Sequence, residues 1–210
     1  MKLYIIRHGQ SEDNVDSLQT GDRGLTANGR RQAHATARLL RQTHLDVLYT
    51  SPTRRTIETA CIIAAERDQD PVVRSDICER GFLFDEPGLT GYEMQRLCPA
   101  IELGNQTKLN RGWAIEKHDE STVELYARAQ ETLISLRKDH LAGSAEIGLV
   151  THAFFSGYLL AVAMGFTFEQ VQKHWLRMNN CGVSCVEFRE HATMLWYLNA
   201  HAHLDDFVTL

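Results

Sequence analysis

The chain has 210 residues, of which 43% are hydrophobic and 23% are charged, and its formal net charge is −5. These values are ordinary for one soluble globular domain, and they exclude a disordered or collagen-like chain. The small negative charge gives no field that would hold nucleic acid or an anionic membrane. The longest mostly apolar stretch (154–166) is too short to span a bilayer, and no signal-peptide core follows the N-terminus. We therefore expect a cytoplasmic protein without nucleic-acid or membrane partners.

Along the first 80 residues, short apolar runs typical of strands alternate with stretches in which apolar residues recur at helical spacing. Thr26 is a suitable N-cap for the first helix, and Ser51 followed by Pro52 is a favoured start for the second. In chain order the predicted elements are a strand at 2–6, a helix at 27–42, a strand at 47–49, a helix from Ser51-Pro52 and a strand at 71–73.

Glycines interrupt the chain from 80 to 120, where only a short helix near 92–97 is predicted. Beyond it we predict a helix from Ser121 to about His140, a strand at 147–150, a helix through Met164 and a hairpin of strands at 183–188 and 193–198. This alternation predicts a three-layer αβα sandwich with a mostly parallel central sheet. Residues 1–210 then form a single domain, with an irregular insertion at about 80–120 that covers the active-site end of the sheet.

Histidines follow two of the predicted strands, at the end where ligands bind in an open α/β sheet. His8 follows the first strand directly after Arg7, and His152 follows the fourth strand. Arginines in the first turn of the Ser51 helix complete an anion pocket, because guanidinium groups bind phosphoryl oxygens in pairs. A neutral imidazole in such a pocket is a competent nucleophile toward phosphorus. Glu79, beyond the third strand, is a candidate proton donor for the leaving alcohol.

The same residues resemble a known family. Arg7-His8-Gly9-Gln10-Ser11-Glu12-Asp13-Asn14 is similar to the Arg-His-Gly-x-[Ser/Thr]-x-x-Asn signature of the histidine phosphatase superfamily, also called the phosphoglycerate mutase-like family. The family's later blocks are matched in order by residues 25–33, 51–60, 78–80, 150–152 and 179–182. The resemblance covers nearly the whole chain and implies the phosphoglycerate mutase-like fold.

The resemblance also implies a mechanism in which a small phosphorylated substrate transfers its phosphoryl group to a histidine, without a metal or organic cofactor. His8 is the implied nucleophile, and Glu79 is the acid that later activates water. The phosphate contacts that it implies are Arg7, Asn14, Gly21, Arg55, His152 and Ala153. Ala153 replaces the glycine usual after the second histidine, and the segment after Glu79 lacks the Tyr-Gly and the lysine of the mutases. The departure after Glu79 favours a phosphatase over a mutase.

Several alternatives remain open at this stage. A mutase or a non-catalytic binder of phosphorylated ligands can have the same fold, and a homodimer is also open. Asp85 and Glu86 are alternative proton donors to Glu79. Because neighbouring helical residues point about 100° apart, only one of Arg54 and Arg55 is expected to face the pocket, and the matched block favours Arg55.

Other polar groups are assigned no catalytic role. Ser11 is expected to cap a turn, and His118-Asp119 is expected to form a helix-entry loop. The scattered cysteines have no zinc spacing and are expected to be buried thiols. A metal-binding alternative, His201-x-His203-x-Asp205, is interpreted instead as a polar terminal tail. The insertion also carries three basic residues, Lys108, Arg111 and Lys117. They form either a rim over the pocket that selects the substrate or solvated surface charge, and the sequence leaves both interpretations open.

Overall fold

A computed structural model of the chain describes residues 1–16, 21–81, 88–104, 109–113, 119–140 and 144–210. Its centre is a six-stranded sheet. The strands are β1 (Lys2–Arg7), β2 (Val47–Thr50), β3 (Pro71–Val73), β4 (Glu146–Thr151), β5 (Val183–Phe188) and β6 (Thr193–Ala200). They lie in the order β3-β2-β4-β1-β5-β6. The first four in this order are parallel, and β5 and β6 add an antiparallel hairpin at one edge. The predicted mostly parallel sheet is confirmed.

Helices cover both faces of this sheet. They are α1 (Glu12–Val15), α2 (Ala27–Leu40), α3 (Arg54–Ala65), α4 (Gly91–Leu97), α5 (Thr122–Asp139), α6 (Ala153–Ala163) and α7 (Phe168–Lys173). Leu3 and Ile5 of β1 point into a core with α5 and α6, whereas Tyr4 and Ile6 point into a second core with α2 and α3. Successive residues of a strand point to opposite faces, so a strand that is apolar throughout is buried between two helical layers. The αβα sandwich is confirmed.

The start of α3 differs from the prediction. The helix begins at Arg54, with Thr53 as the N-cap residue, and not at Ser51-Pro52. Thr53 makes no side-chain cap bond; instead the Asp22 carboxylate accepts the Arg54 N–H with both oxygens, at 3.0 and 2.9 Å. A carboxylate from a distant loop therefore supplies the cap, and Ser51 is free to act elsewhere.

The C-terminal segment also differs from the expected polar tail. Residues Ala202–Phe207 form a short 3₁₀ segment whose Leu204 is fully buried against residues of α2. His203 Nε2 lies 3.0 Å from the Thr36 hydroxyl of α2, and His201 Nδ1 donates to the Asn199 carbonyl oxygen. The buried Leu204 and the contact between His203 and Thr36 together hold this segment on the helix.

The insertion at about 80–120 lies partly outside the described residues. Its helix α4 packs through Met94 against Ile57 of α3 and Val73 of β3. Among the helices of the described ranges, none is long and apolar enough to cross a membrane.

Candidate active site

The strand pairing brings the predicted site residues together. Arg7 of β1 is in register with Thr151 of β4, and Thr50 of β2 is in register with Val150. The residues that follow, His8, His152 and Ser51, therefore leave the sheet side by side at its carboxyl edge. The rings of His8 and His152 lie 5.3 Å apart, inclined at 64°.

His8 presents an unprotonated nitrogen to the site. Its Nδ1 lies 2.7 Å from the Gly9 carbonyl oxygen, which can only accept, so Nδ1 carries the proton and Nε2 has the free lone pair. Arg55 Nε donates to this Nε2 at 3.3 Å. Burial, followed by the charges of Arg55 and Arg7, holds the pKa of His8 well below its ordinary value. The ring is therefore neutral at pH 7, which is the nucleophilic form.

His152 is held in the opposite tautomer. Arg55 Nη2 lies 3.3 Å from its Nδ1, and since arginine only donates, Nδ1 accepts and Nε2 carries the proton. That Nε2–H donates to Ser51 Oγ at 2.8 Å. Burial and the Arg55 charge lower the pKa of His152 well below its ordinary value. Ser51, which the sequence assigns to a helix cap, thus fixes the second histidine of the site.

Arg55 faces the pocket and Arg54 does not, as the sequence predicts. The Arg55 side chain is 9% exposed, whereas Arg54 is 47% exposed and pairs with Glu58. Arg55 also lies 3.4 Å from a carboxylate oxygen of Asp13 and 3.7 Å from one of Asp22.

Sequence reasoning did not find these two aspartates. Asp13 stands inside the matched first block, beside Asn14, but no sequence signal shows that it pairs with an arginine of α3. Burial raises the pKa of Asp22 to about 6, although Arg55 and the Arg54 N–H counteract that rise. The positive charge of Arg55 is therefore balanced by carboxylates at the edge of the anion pocket.

Arg7 is the second buried cation. It is 7% exposed, its Nη1 donates to the Met178 carbonyl oxygen at 2.8 Å, and its Nε has no hydrogen-bond partner among the residues that the structure describes. Burial lowers the pKa of Arg7 to about 10; Glu79 counteracts this, whereas Arg177 and Arg55 add to it. Arg7 is still charged at pH 7, and its guanidinium can therefore donate to an anion.

Residues of the last matched block fix the backbone of the nucleophile. The Asn180 side-chain amide donates to the His8 carbonyl oxygen and to Asn14 Oδ1, each at 3.1 Å. Asn14 Oδ1 also accepts the Ser11 N–H at 3.0 Å. Its oxygen is therefore occupied, and its Nδ2 is left as the group that can donate to an anion. Ser11 serves a turn, as predicted.

Glu79 lies at the N-terminus of α6. Its carboxylate accepts the N–H groups of Phe154 and Phe155 at 3.2 and 3.1 Å, and a helix N-terminus favours a negative charge. The loop that carries it is fixed by Arg128, which donates to the carbonyl oxygens of Cys78 and Glu79 and pairs with Glu120. Glu79 and Arg7 are near enough for the carboxylate to raise the pKa of the guanidinium.

The remaining predicted residues have fewer contacts. Ala153 is the first residue of α6, directly after His152. Gly21 has φ +74°, which glycine adopts without strain, and directly precedes Asp22. The alternative acids Asp85 and Glu86 lie outside the described residues, as do Lys108, Lys117 and His118. Arg111 is exposed.

The chemistry of the site is that of anion binding beside a neutral imidazole. In the described part of the chain, no three His, Cys, Asp or Glu side chains group together as metal ligands, and all five cysteines are free. Arg55 Nε lies 3.3 Å from His8 Nε2, and the Arg7 guanidinium is near enough for its charge to lower the pKa of the same ring. These groups can bind a phosphoryl group and accept it on nitrogen.

Comparison with known proteins finds matches over nearly the whole chain. The family profile of the histidine phosphatase superfamily (branch 1) matches residues 3–201. The chain is 26% identical to phosphoserine phosphatase 1 of Hydrogenobacter thermophilus, over 99% of this chain and 96% of that protein. It is 30% identical to the probable phosphoglycerate mutase GpmB of Yersinia enterocolitica, over 98% and 95% of the two chains.

A solved structure supports the fold assignment. Phosphoserine phosphatase of Entamoeba histolytica in complex with 3-phosphoglyceric acid superposes with a TM-score of 0.69 at 23% identity, covering 97% of this chain and 98% of that one. At this identity the likeness shows the fold alone.

Proposed function

Because the chain belongs to the histidine phosphatase superfamily, we propose that it is a metal-independent phosphomonoester hydrolase that acts through a phosphohistidine on His8. The observation that carries the proposal is the state of the His8 ring. Its Nδ1 proton is fixed on the Gly9 carbonyl oxygen, and its Nε2 lone pair faces Arg55. A nucleophile and a charge that stabilises the transferring phosphoryl group are thus adjacent.

The proposed reaction has two steps. In the first, His8 Nε2 attacks phosphorus, the bond from phosphorus to the ester oxygen breaks, and that oxygen takes a proton from the Glu79 carboxyl group. In the second, Glu79 takes a proton from water, the water oxygen attacks phosphorus, and the bond from phosphorus to Nε2 breaks. Inorganic phosphate leaves, and His8 returns to its starting state. Arg7, Arg55 and Asn14 hold the phosphoryl oxygens in both steps, with backbone contacts at Gly21 and Ala153. His152 joins them through Nδ1 when that nitrogen takes up a proton and the phosphoryl group displaces its contact with Arg55.

The hydrolase assignment is supported by relatives that are named phosphatases and by the departure after Glu79 from the mutase pattern. A relative named as a probable phosphoglycerate mutase keeps phosphoryl transfer as the second candidate function. In that case the phosphoryl group returns to a second hydroxyl and does not pass to water. The substrate in both cases is a small phosphorylated compound. The cytoplasmic location and the homodimer that the sequence leaves open stay predictions.

The test is to quench the enzyme during turnover of p-nitrophenyl phosphate in EDTA and to search for a phosphoenzyme. We expect an acid-labile, base-stable phosphoryl group that maps to His8, and both it and phosphate release should be absent from His8→Ala. The exposed His34→Ala is the matched control and should behave as the wild type. Near-normal turnover by His8→Ala would overturn the mechanism. Transfer to an added alcohol without phosphate release would indicate the mutase.

A further inference from the structure

A mostly apolar cavity of about 440 Å³ adjoins the phosphate site. The two share Arg7 and Ala153, so the cavity begins where the proposed phosphoryl pocket ends. We propose that this cavity binds the organic part of the substrate and selects a phosphomonoester of a bulky aromatic alcohol. The proposal rests on the proposed function and adds the class of leaving group to it.

The cavity wall is built from α6 and the segment after α7. Phe154, Gly157 and Tyr158 lie on one face of α6, because residues three and four apart are neighbours on a helix. Trp175 faces them and packs edge to face on Phe154, with ring centroids 4.8 Å apart and ring planes at 78°. The exposed edges and faces of this pair favour contact with a further aromatic ring beside them.

Both aromatic side chains are exposed to an unusual extent. Trp175 is 65% exposed and Phe154 is 36% exposed. Large apolar groups that remain in contact with water at a concave site gain free energy when a ligand covers them, which is the usual composition of a small-molecule pocket. A small polar group such as the serine of phosphoserine would leave most of this surface uncovered.

The position of Glu79 shows which end of a substrate would enter the cavity. Its carboxylate binds the N–H of Phe154, and the Phe154 side chain lines the cavity. Arg7, whose Nε is buried without a hydrogen-bond partner in the described part of the chain, lies at the same boundary. With the phosphoryl group on Arg7 and Arg55, the ester oxygen is directed toward Glu79, and the group attached to that oxygen extends along Phe154 into the cavity. Leaving-group protonation and recognition of the alcohol therefore occur at one place.

The test compares kcat/KM for 2-naphthyl phosphate, phenyl phosphate and O-phosphoserine. The two aryl esters have leaving groups of similar acidity and differ by one fused ring, so their ratio measures recognition by the cavity. We expect 2-naphthyl phosphate to exceed phenyl phosphate about tenfold or more, since even one methylene in an apolar pocket changes specificity by this order. O-phosphoserine should be the poorest of the three.

Trp175→Ala removes the tryptophan that lines the cavity. Trp196→Ala is the matched control, because Trp196 is an exposed tryptophan on β6. Trp175→Ala should lower kcat/KM for the naphthyl ester at least about fivefold more than for the phenyl ester, and Trp196→Ala should leave the ratio unchanged. Equal kcat/KM for the aryl esters, preference for O-phosphoserine, or an unchanged ratio in Trp175→Ala would overturn the cavity proposal. If none of the esters forms a phosphoenzyme on His8, the proposed function fails instead.

Discussion

Arg55 connects the two histidines of the site to the two aspartates at its edge. It donates to His8 and His152 and lies beside carboxylate oxygens of Asp13 and Asp22. A guanidinium with so many partners has a fixed orientation before the substrate arrives, so little rotamer entropy is lost when a phosphoryl group displaces the contact to His8. The same contacts neutralise part of its charge, so the site is both rigid and electrostatically balanced.

The first prediction separates the two adjacent arginines. Arg55→Ala should lower kcat at least about 100-fold, because the transition-state charge lies on the oxygens that the guanidinium contacts. Arg54→Ala removes one partner of the buried Glu58, which keeps Arg30 and the Leu25 N–H, and should change kcat less than about threefold. Steady-state kinetics with p-nitrophenyl phosphate measures both. Similar losses in the two variants would mean that Arg55 does not contact the phosphoryl group.

A second prediction concerns Glu79, whose loss should matter most for alcohols that leave poorly. In Glu79→Gln, single-turnover phosphorylation of His8 should slow about tenfold or more with an alkyl phosphate and much less with p-nitrophenyl phosphate. The glutamine can still accept the N–H groups of α6, so the helix start is retained. Equal slowing for both esters would remove Glu79 from the acid role and make Asp85 and Glu86 the next carboxylates to test.

Local motifs in the sequence identify the residues of the site, but they do not identify the distant residues that contact them. His8, Arg7, Arg55 and His152 each stand within a few residues of a strand end, so a parallel sheet alone brings them together. The contact of Asp22 with α3 and that of Ser51 with His152 join segments 32 and 101 residues apart. Such pairings depend on the packed fold, and no local pattern encodes them.

At the scale of elements, the close approach of α2 to the loop after β1 positions the nucleophile. Gly29 of α2 lies against the backbone of Gln10, and a Cβ at Gly29 would collide with the Gln10 carbonyl oxygen. The Gly9 N–H donates to Thr59 of α3 at 3.1 Å, so the loop is held between α2 and α3. The sequence predicts α2 from its periodicity but does not predict this contact.

The third prediction follows from that approach. In a free helix, Gly→Ala stabilises by about 1 kcal/mol. Gly29→Ala should do the opposite and lower the free energy of unfolding by about 1–3 kcal/mol, because overpacking moves the backbone. It should also lower kcat by displacing His8. Urea unfolding and p-nitrophenyl phosphate turnover measure the two effects. His34→Ala, on the exposed side of the same helix, should change stability less than about 0.5 kcal/mol. A stabilised Gly29→Ala would contradict the contact.

At the scale of the whole molecule, the buried histidines of the site lower the free energy of unfolding as the pH falls. His8 and His152 are buried and neutral, with pKa values well below the ordinary value, mainly because of burial and then because of Arg55. The unfolded chain, in which these histidines titrate near 6.5, takes up protons that the folded protein does not. The penalty is absent at pH well above 6.5 and grows as the pH falls through that value. Each histidine adds a slope of about 1.4 kcal/mol per pH unit.

Asp22 acts in the opposite direction over a lower range. Its pKa in the folded protein is raised to about 6, so between about pH 6 and pH 4 the folded state holds a proton that the unfolded state has released. This contribution opposes that of the histidines as the pH falls below 6. The window in which the histidines act without opposition is therefore narrow, from about pH 7 to pH 6.

The last prediction is that in this window the free energy of unfolding falls with decreasing pH more steeply in the wild type than in His8→Asn. The difference in slope should reach about 1 kcal/mol per pH unit at pH 6, where about three quarters of the unfolded chains carry a proton on a histidine of pKa near 6.5. Slopes are compared because His8→Asn also changes packing, which shifts stability at every pH alike. Urea unfolding at quarter-unit pH steps measures both slopes. His34→Asn, an exposed histidine on α2, should keep the wild-type slope. A wild-type slope in His8→Asn would mean that His8 is protonated in the folded protein and is not the neutral nucleophile.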